Sequence, residues 1–262
     1  MTRQMSVAGT FYPARDIELL RYFEHFTKVY DEEFQLPNIN TRAVIVPHAG
    51  YIYSGYTANI AYRLLQRGTI KNFLVIGPSH RVAFDGVSVS DFEDFETPFS
   101  KLDSHKTMAQ KIRETFHLPF IEQAHHEHST EVQFPFIKHY IPDATIVELV
   151  YSNIQAESIA KIIDFALEEK DFGVIISTDL SHFYTQENAN KLDAICINAV
   201  ETQNTNLLHS GCEACGKTGV EAILLSAKKH NLDSHILDYR TSADATGDTS
   251  RVVGYLSGCF SS

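Results

Sequence analysis

Three runs of this chain are apolar and largely β-branched through their centres: Arg42-Ala-Val-Ile-Val-Pro47, Asn72-Phe-Leu-Val-Ile-Gly77 and Gly173-Val-Ile-Ile-Ser177. A strand with one face in water alternates apolar and polar residues, so a run without alternation is covered on both faces. Thr145–Val150, His235–Tyr239 and Val252–Ser257 read as further strands, and Val87–Ser90 alternates like a half-exposed one. Between them the spacing predicts helices over about 15–27, 55–67, 104–115, 130–139, 156–170, 186–202 and 216–229. In the fifth, Ile159, Ile162, Ile163 and Leu167 share one face, the mark of an amphipathic helix. Buried strands alternating with such helices give an α/β fold in three layers. With no repeat, linker or composition shift, residues 1–262 read as one domain.

Composition narrows the function. Acidic residues outnumber basic ones 33 to 22, a net charge of −11, which argues against nucleic acid or an anionic membrane as partner. The N-terminal segment lacks the apolar stretch of a secretory signal, and no run is long enough to span a membrane. Four cysteines in 262 residues do not make a disulfide scaffold, so a reducing, cytoplasmic setting is expected. Thirteen histidines are the oddity, because imidazole titrates near neutral pH and binds metals.

Position makes some of those histidines informative. In open α/β sheets ligands bind beyond the carboxyl ends of the strands. There the chain carries Pro47-His48-Ala-Gly50-Tyr51, Gly77-Pro-Ser-His80 and Thr178-Asp179-Leu-Ser-His182. If the three strands are parallel neighbours, three imidazoles and one carboxylate share a rim, a donor set for Zn²⁺, Fe²⁺ or Mn²⁺. A lone histidine in a turn is more often structural, but the pattern repeats at three strand ends.

Other clusters carry less. In His125-His-Glu-His128-Ser129-Thr130-Glu131, Ser129 or Thr130 caps the next helix, His125 and His126 read as solvated, and His128 reads as a pocket residue at the helix entrance. Asp244 and Asp248 sit in a Gly-containing loop, where aspartate usually serves turn chemistry. Cys212-Glu-Ala-Cys215 has no second C-x-x-C for a zinc knuckle and lacks the strand context of a thioredoxin motif, so both read as structural thiols. Gly216-Lys-Thr218 fails the P-loop spacing, and no G-x-S-x-G or G-x-G-x-x-G occurs.

Taken in order, Gly9-Thr-Phe-Tyr-Pro13, Pro47-His-Ala-Gly-Tyr51, Gly77-Pro-Ser-His80, Glu127-His-Ser-Thr-Glu-Val-Gln133, Ser177-Thr-Asp-Leu-Ser-His182 and Val252-Val-Gly-Tyr255 resemble the Memo family, also called AmmeMemoRadiSam system protein B. The likeness spans about residues 7–258. It implies a LigB-like three-layer α/β/α sandwich with a mixed central sheet, similar to the class III extradiol dioxygenases. It also implies metal ligation by His48 and His80, with Asp179 and His182 as catalytic pocket residues. His182 would be the acid/base, and Asp179 would hold its ring. The third ligand is a cysteine in animal members, and the resemblance places Asp244 there. A two-His-one-carboxylate set would favour Fe²⁺ as cofactor over Zn²⁺ or Cu. Tyr51, His128 and Ser129 would then face substrate.

Two classes of function follow. The first is a non-haem, dioxygenase-like oxidoreductase of a small molecule. The second is a non-catalytic, metal-containing adaptor that recognises a peptide. The family's alternative name adds a third role, as one component of a radical-SAM-associated modification pathway with AMMECR-type and radical SAM partners. A homodimer is the base-rate expectation for assembly.

Overall fold

A computed structural model describes residues 1–262. Its strands are β1 (Thr2–Arg3), β2 (Thr41–Val46), β3 (Asn72–Pro78), β4 (Gly86–Val89), β5 (Asp94–Phe95), β6 (Leu102–Ser104), β7 (Thr145–Ser152), β8 (Phe172–Ser177), β9 (His182–Tyr184), β10 (Asp233–Thr241) and β11 (Val252–Ser261). The helices are α1 (Asp16–Glu33), α2 (Tyr51–Arg67), α3 (Lys106–Phe116), α4 (His128–Glu131), α5 (Phe134–Tyr140), α6 (Ala156–Leu167), α7 (Gln186–Glu201), α8 (Thr205–Leu208), α9 (Lys217–His230) and α10 (Ala243–Thr246), with a 3₁₀ turn at Glu122–His125. No helix is long and apolar enough to cross a membrane.

The strands form one mixed sheet in the order β1-β5-β6-β7-β3-β8-β2-β11-β10, with β4 added to β7 and β9 to β11. At its centre β3, β8 and β2 are parallel neighbours. That meets the condition for bringing the three histidine turns to one edge. The chain then closes antiparallel, β2 with β11 and β11 with β10.

Side-chain alternation along the central strands splits the core in two. Ala43, Ile45, Leu74, Ile76, Val174 and Ile176 enter one cluster, which holds α6 and α9. Val44, Val46, Phe73, Val75 and Ile175 enter the other, with α1, α2 and α5. Every one of these strand residues is buried, so the continuous apolar runs are explained by helices on both faces. The architecture is a three-layer α/β/α sandwich.

Differences from the sequence expectations are local. The helix expected over 130–139 is two, α4 and α5, with Val132 and Gln133 between them. Pro135 sits in the first turn of α5, where its missing N–H costs nothing. Strand β4 is buried rather than half exposed, because it pairs with β7 and its valines join the α6–α9 core.

Candidate metal centre

His48 follows β2, His80 follows β3, and His128 opens α4. One ring nitrogen from each lies within 4.8 Å of the others. The ring centroids are 4.7 Å apart for His80–His128, 5.2 Å for His48–His80 and 5.4 Å for His48–His128.

Each ring is held by its other nitrogen. Glu127 Oε1 lies 3.2 Å from His80 Nδ1 and 2.9 Å from His128 Nδ1. Glu127 Oε2 accepts the His80 backbone N–H at 2.7 Å, and Oε1 that of Ser129 at 3.1 Å. Burial opposes charge on Glu127, but the hydrogen bonds from His128, His80 and the two backbone amides outweigh it and hold the carboxyl far below the usual carboxylate range. An ionised carboxylate only accepts, so both imidazoles donate through Nδ1 and each keeps Nε2 for a metal.

His48 is fixed by a longer chain of the same logic. Ser177 Oγ donates to the Ser129 carbonyl at 2.5 Å. Gln133 Nε2 donates to Ser177 Oγ and to the Pro47 carbonyl, while the Tyr62 hydroxyl donates to Gln133 Oε1 and fixes the amide's orientation. With its own proton committed, Ser177 Oγ accepts from His48 Nδ1, 2.9 Å away. His48 therefore also presents Nε2. Burial pushes its pKa well below 6.5, and the facing imidazoles of His80 and His128 push it further. A neutral imidazole is the form that binds metal, and such outer partners set ring orientation and ligand basicity.

Two glycines make the convergence sterically feasible. A Cβ on Gly77 would meet Ser129 Oγ at 2.5 Å and Thr130 Cγ2 at 2.9 Å, so only glycine lets α4 seat on the end of β3. A Cβ on Gly216 would meet Thr178 and the Ser177 carbonyl, so glycine also lets the start of α9 approach the end of β8. The turn carrying His128 is clamped from behind. Buried Arg3 donates to the carbonyls of His125 and Glu127 and pairs with Glu131 at 2.8 Å. Glu131 also accepts from the backbone of Ser6 and Val7 and from Tyr12.

Cys215 sits beside the cluster, its Sγ 3.3 Å from His48 Nε2. Burial, with the nearby Asp179 charge, pushes its thiol up to about 12. The buried Asp179 accepts the His48 backbone N–H at 2.7 Å, and its Oδ2 lies 3.9 Å from His48 Nε2. Burial raises its pKa above that of an ordinary carboxylate. His182, partly exposed on β9, is near enough for its charge to act on both His48 and Asp179. Asp179 binds the His48 backbone rather than the His182 ring.

Several expected site residues are placed elsewhere. Asp244 is not among the converging side chains. It lies exposed in α10, and its Oδ2 accepts the Thr241 N–H at 2.8 Å, which is turn chemistry at the end of β10. The further donor atom beside His48 is instead the Sγ of Cys215, which the C-x-x-C spacing concealed. Its apparent partner Cys212 is bonded to Cys196 on α7, so Cys212 and Cys196 are not free thiols. Tyr51 is buried and donates to the Val132 carbonyl at 2.5 Å. Ser129 is buried and donates to the Pro78 carbonyl at 2.8 Å. Both support the site from within the fold instead of facing a substrate. Glu127, not Ser129 or Thr130, caps α4. His125 is buried between Glu148 and Ser88 rather than solvated. Glu127, Gln133 and Ser177 were missed as ring-holding residues, although all three stand inside the motifs that carry the converging histidines or lead to them.

The family model described as Memo-like protein matches residues 3–259. A MEMO1 family protein of Aquifex aeolicus (strain VF5) is 33% identical over 269 residues, covering 98% of each chain. One from Methanobrevibacter smithii is 34% identical over 281 residues, covering 99% of this chain and 100% of the relative. The MEMO1 family protein Ta0237 of Thermoplasma acidophilum is 32% identical over 270 residues, with 98% of each chain covered.

Proposed function

This chain belongs to the Memo-like family, and from that premise and the three-imidazole cluster we propose that it is a metal-dependent oxidoreductase of a small molecule. The observation that carries the reading is the convergence of His48, His80 and His128 within 4.8 Å, with each Nδ1 already committed to Glu127 or Ser177. Outer partners that fix every Nδ1 and leave the three Nε2 atoms facing one another, with only the Cys215 thiol beside that of His48, are the arrangement expected of a metal site.

The donor set fits a first-row divalent transition ion. Three imidazoles, with a thiol alongside, suit zinc, copper or iron. The argument for Fe²⁺ from an Asp244 carboxylate does not carry over, since that carboxylate caps a turn. When bound, such an ion supplies Lewis-acid or redox chemistry at the mouth of the strands. His48, His80 and His128 would hold it through Nε2. Asp179, buried and with a raised pKa, keeps a proton more readily than a surface carboxylate and exchanges it at Oδ2. His182, on the wetter side, carries a proton between that region and solvent.

Anaerobic purification, metal analysis and an oxygen-consumption assay over a panel of catechols test the proposal. Metal-dependent turnover that falls at least about a hundredfold, the low end of a general acid–base contribution, in His182→Gln with metal content intact supports it. Metal bound without turnover of any small molecule, and with peptide binding in its place, would favour a non-catalytic role.

A further inference from the structure

The turn Thr178–His182 joins β8 to β9 and brings Asp179 and His182 to the imidazole cluster. It is gripped from three sides. From β11, the Gly254 carbonyl accepts the Leu180 N–H at 2.8 Å, and the Gly254 N–H donates to the Ser181 carbonyl at 3.0 Å. From α7, buried Asp193 accepts the Ser181 N–H at 2.9 Å through Oδ1 and the Tyr239 hydroxyl at 2.7 Å through Oδ2. From the chain entering α9, the Cys215 N–H donates to the Asp179 carbonyl at 3.1 Å, and the Gly216 N–H donates to Thr178 Oγ1 at 2.9 Å.

The Cys196–Cys212 disulfide joins two of those grips. Cys196 stands one helical turn after Asp193 in α7, on the same side of the helix. Cys212 stands three residues before Cys215. Both bonded cysteines are buried. The backbone of Gly211, Cys212 and Glu213 makes no hydrogen bond to other backbone groups, so the place of Cys212 rests on the disulfide and on side-chain packing. Ser210, Gly211 and Glu213 around it are exposed. A segment with so few backbone bonds opens locally at low cost once its tether is cut.

We propose that this disulfide is a redox-controlled clamp on the Thr178–His182 turn. Closed, it ties α7 to the chain ahead of α9 and holds the turn between them, with Asp179 on the His48 backbone and Cys215 beside the His48 ring. A dithiol reductant opens it. One thiolate of the reductant attacks a clamp sulfur, the Cys196–Cys212 bond breaks, and the departing sulfur takes up a proton. The second thiol of the reductant then displaces the other cysteine, which leaves as a thiol, and the reductant ends as a disulfide. Two electrons and two protons pass from reductant to clamp. Because both sulfurs are buried, attack waits on opening of residues 210–213. The clamp on the turn does not depend on a metal; its effect on metal affinity rests on the metal-centre reading.

Hydrogen exchange read by mass spectrometry, on native protein before and after dithiothreitol, tests the clamp. Amides of residues 178–182 and 209–216 should exchange at least about tenfold faster once reduced, within what a bridge closing a loop of about 15 residues supplies. Those of β3 and β7 should keep their protection, and re-oxidation should restore the slow rates. The double variant Cys196→Ala, Cys212→Ala should match reduced wild type. Chelator competition should show it binding Zn²⁺ about tenfold more weakly than oxidised wild type, the low end of losing an outer support. The proposal is overturned by free Cys196 and Cys212 in aerobically prepared protein, or by a disulfide that yields only in denaturant. Equal exchange before and after reduction, a rise spread evenly over β3 and β7, or Zn²⁺ bound equally tightly by both forms also overturns it. Local loosening in a chain that binds no Zn²⁺ in either form supports the clamp and overturns the metal centre instead.

Discussion

Glu127 Oε1 lies 2.9 Å from Nδ1 of His128, and the same carboxylate orients His80. One buried charge therefore aims two of the three imidazoles. Glu127→Gln keeps the shape but replaces an acceptor that fixes both tautomers with an amide that can donate as well. Metal affinity should drop about 10–100-fold, the usual effect of losing an outer partner. Competition against a chelator of known affinity checks it, and unchanged affinity would show that the rings orient themselves.

Ser177 does the same for His48. Ser177→Ala removes the acceptor for Nδ1 and leaves the Gln133 amide and the Ser129 carbonyl without their partner. Unfolding stability should fall by about 1–3 kcal/mol, the cost of stranding buried polar groups, together with a loss of metal affinity. Denaturant melts separate the two effects, since melts of the metal-free variant report stability alone.

Gly77 tests the seating of α4. Gly77→Ala puts a methyl group against Ser129 and Thr130. Overpacking of this kind costs about 1–3 kcal/mol, and relief requires α4 to move away from β3, separating His128 from His80. The variant should remain folded and lose metal. Retention of full metal affinity would mean that the close approach is not needed.

Acid should destabilise the metal-free protein in a defined window. Folded His48 has a pKa well below 6.5, chiefly because it is buried. The unfolded chain thus takes up a proton where the folded chain does not. Its contribution is complete above about pH 6.5 and is lost as pH falls, by at most about 1.4 kcal/mol per pH unit. Glu127, also depressed, acts with the same sign but only from about pH 4.5 downward. Thermal melts between pH 7.5 and 5.5 should show a smaller loss in His48→Gln than in wild type; equal losses would remove His48 as the cause.

Cys215 gives a chemical probe. Its thiol is half-buried beside His48 and pushed up to about 12, so it should alkylate more slowly at pH 8 than an exposed cysteine. Cys196 and Cys212 are bonded to each other and should stay unlabelled until reduced. Metal loading should slow Cys215 labelling further, as read by mass spectrometry of the peptide.

Much of this site could be read from residue order. His48 and His80 stood out because each ends a buried strand, and the parallel order β3-β8-β2 makes strand ends neighbours. The helical layers were legible because apolar period and strand continuity are local properties. His128 was visible as a pocket residue, but its place in the imidazole cluster depends on α4 resting on the end of β3, where Ser129 Oγ donates to the carbonyl of Pro78, 51 residues away in the chain. Cys215 was hidden by its neighbour, since spacing pairs it with Cys212 while folding pairs Cys212 with Cys196. Asp244 was misplaced because a carboxylate in a turn looks the same in sequence whether it binds a metal or its own backbone. The glycine before α9 was the available signal for Cys215: Cys215-Gly216 directly ahead of a helix marks a backbone that must come close to something.

Metal stoichiometry is the most direct test of the central claim. Wild-type protein, stripped and reloaded with a single divalent transition metal, should retain about one ion per chain after desalting, as expected for one three-imidazole set with an open position. His48→Ala, His80→Ala and His128→Ala should each lose it, while Asp244→Ala should bind as wild type does. Retention of the ion in all three histidine variants, or its loss in Asp244→Ala alone, would contradict the account.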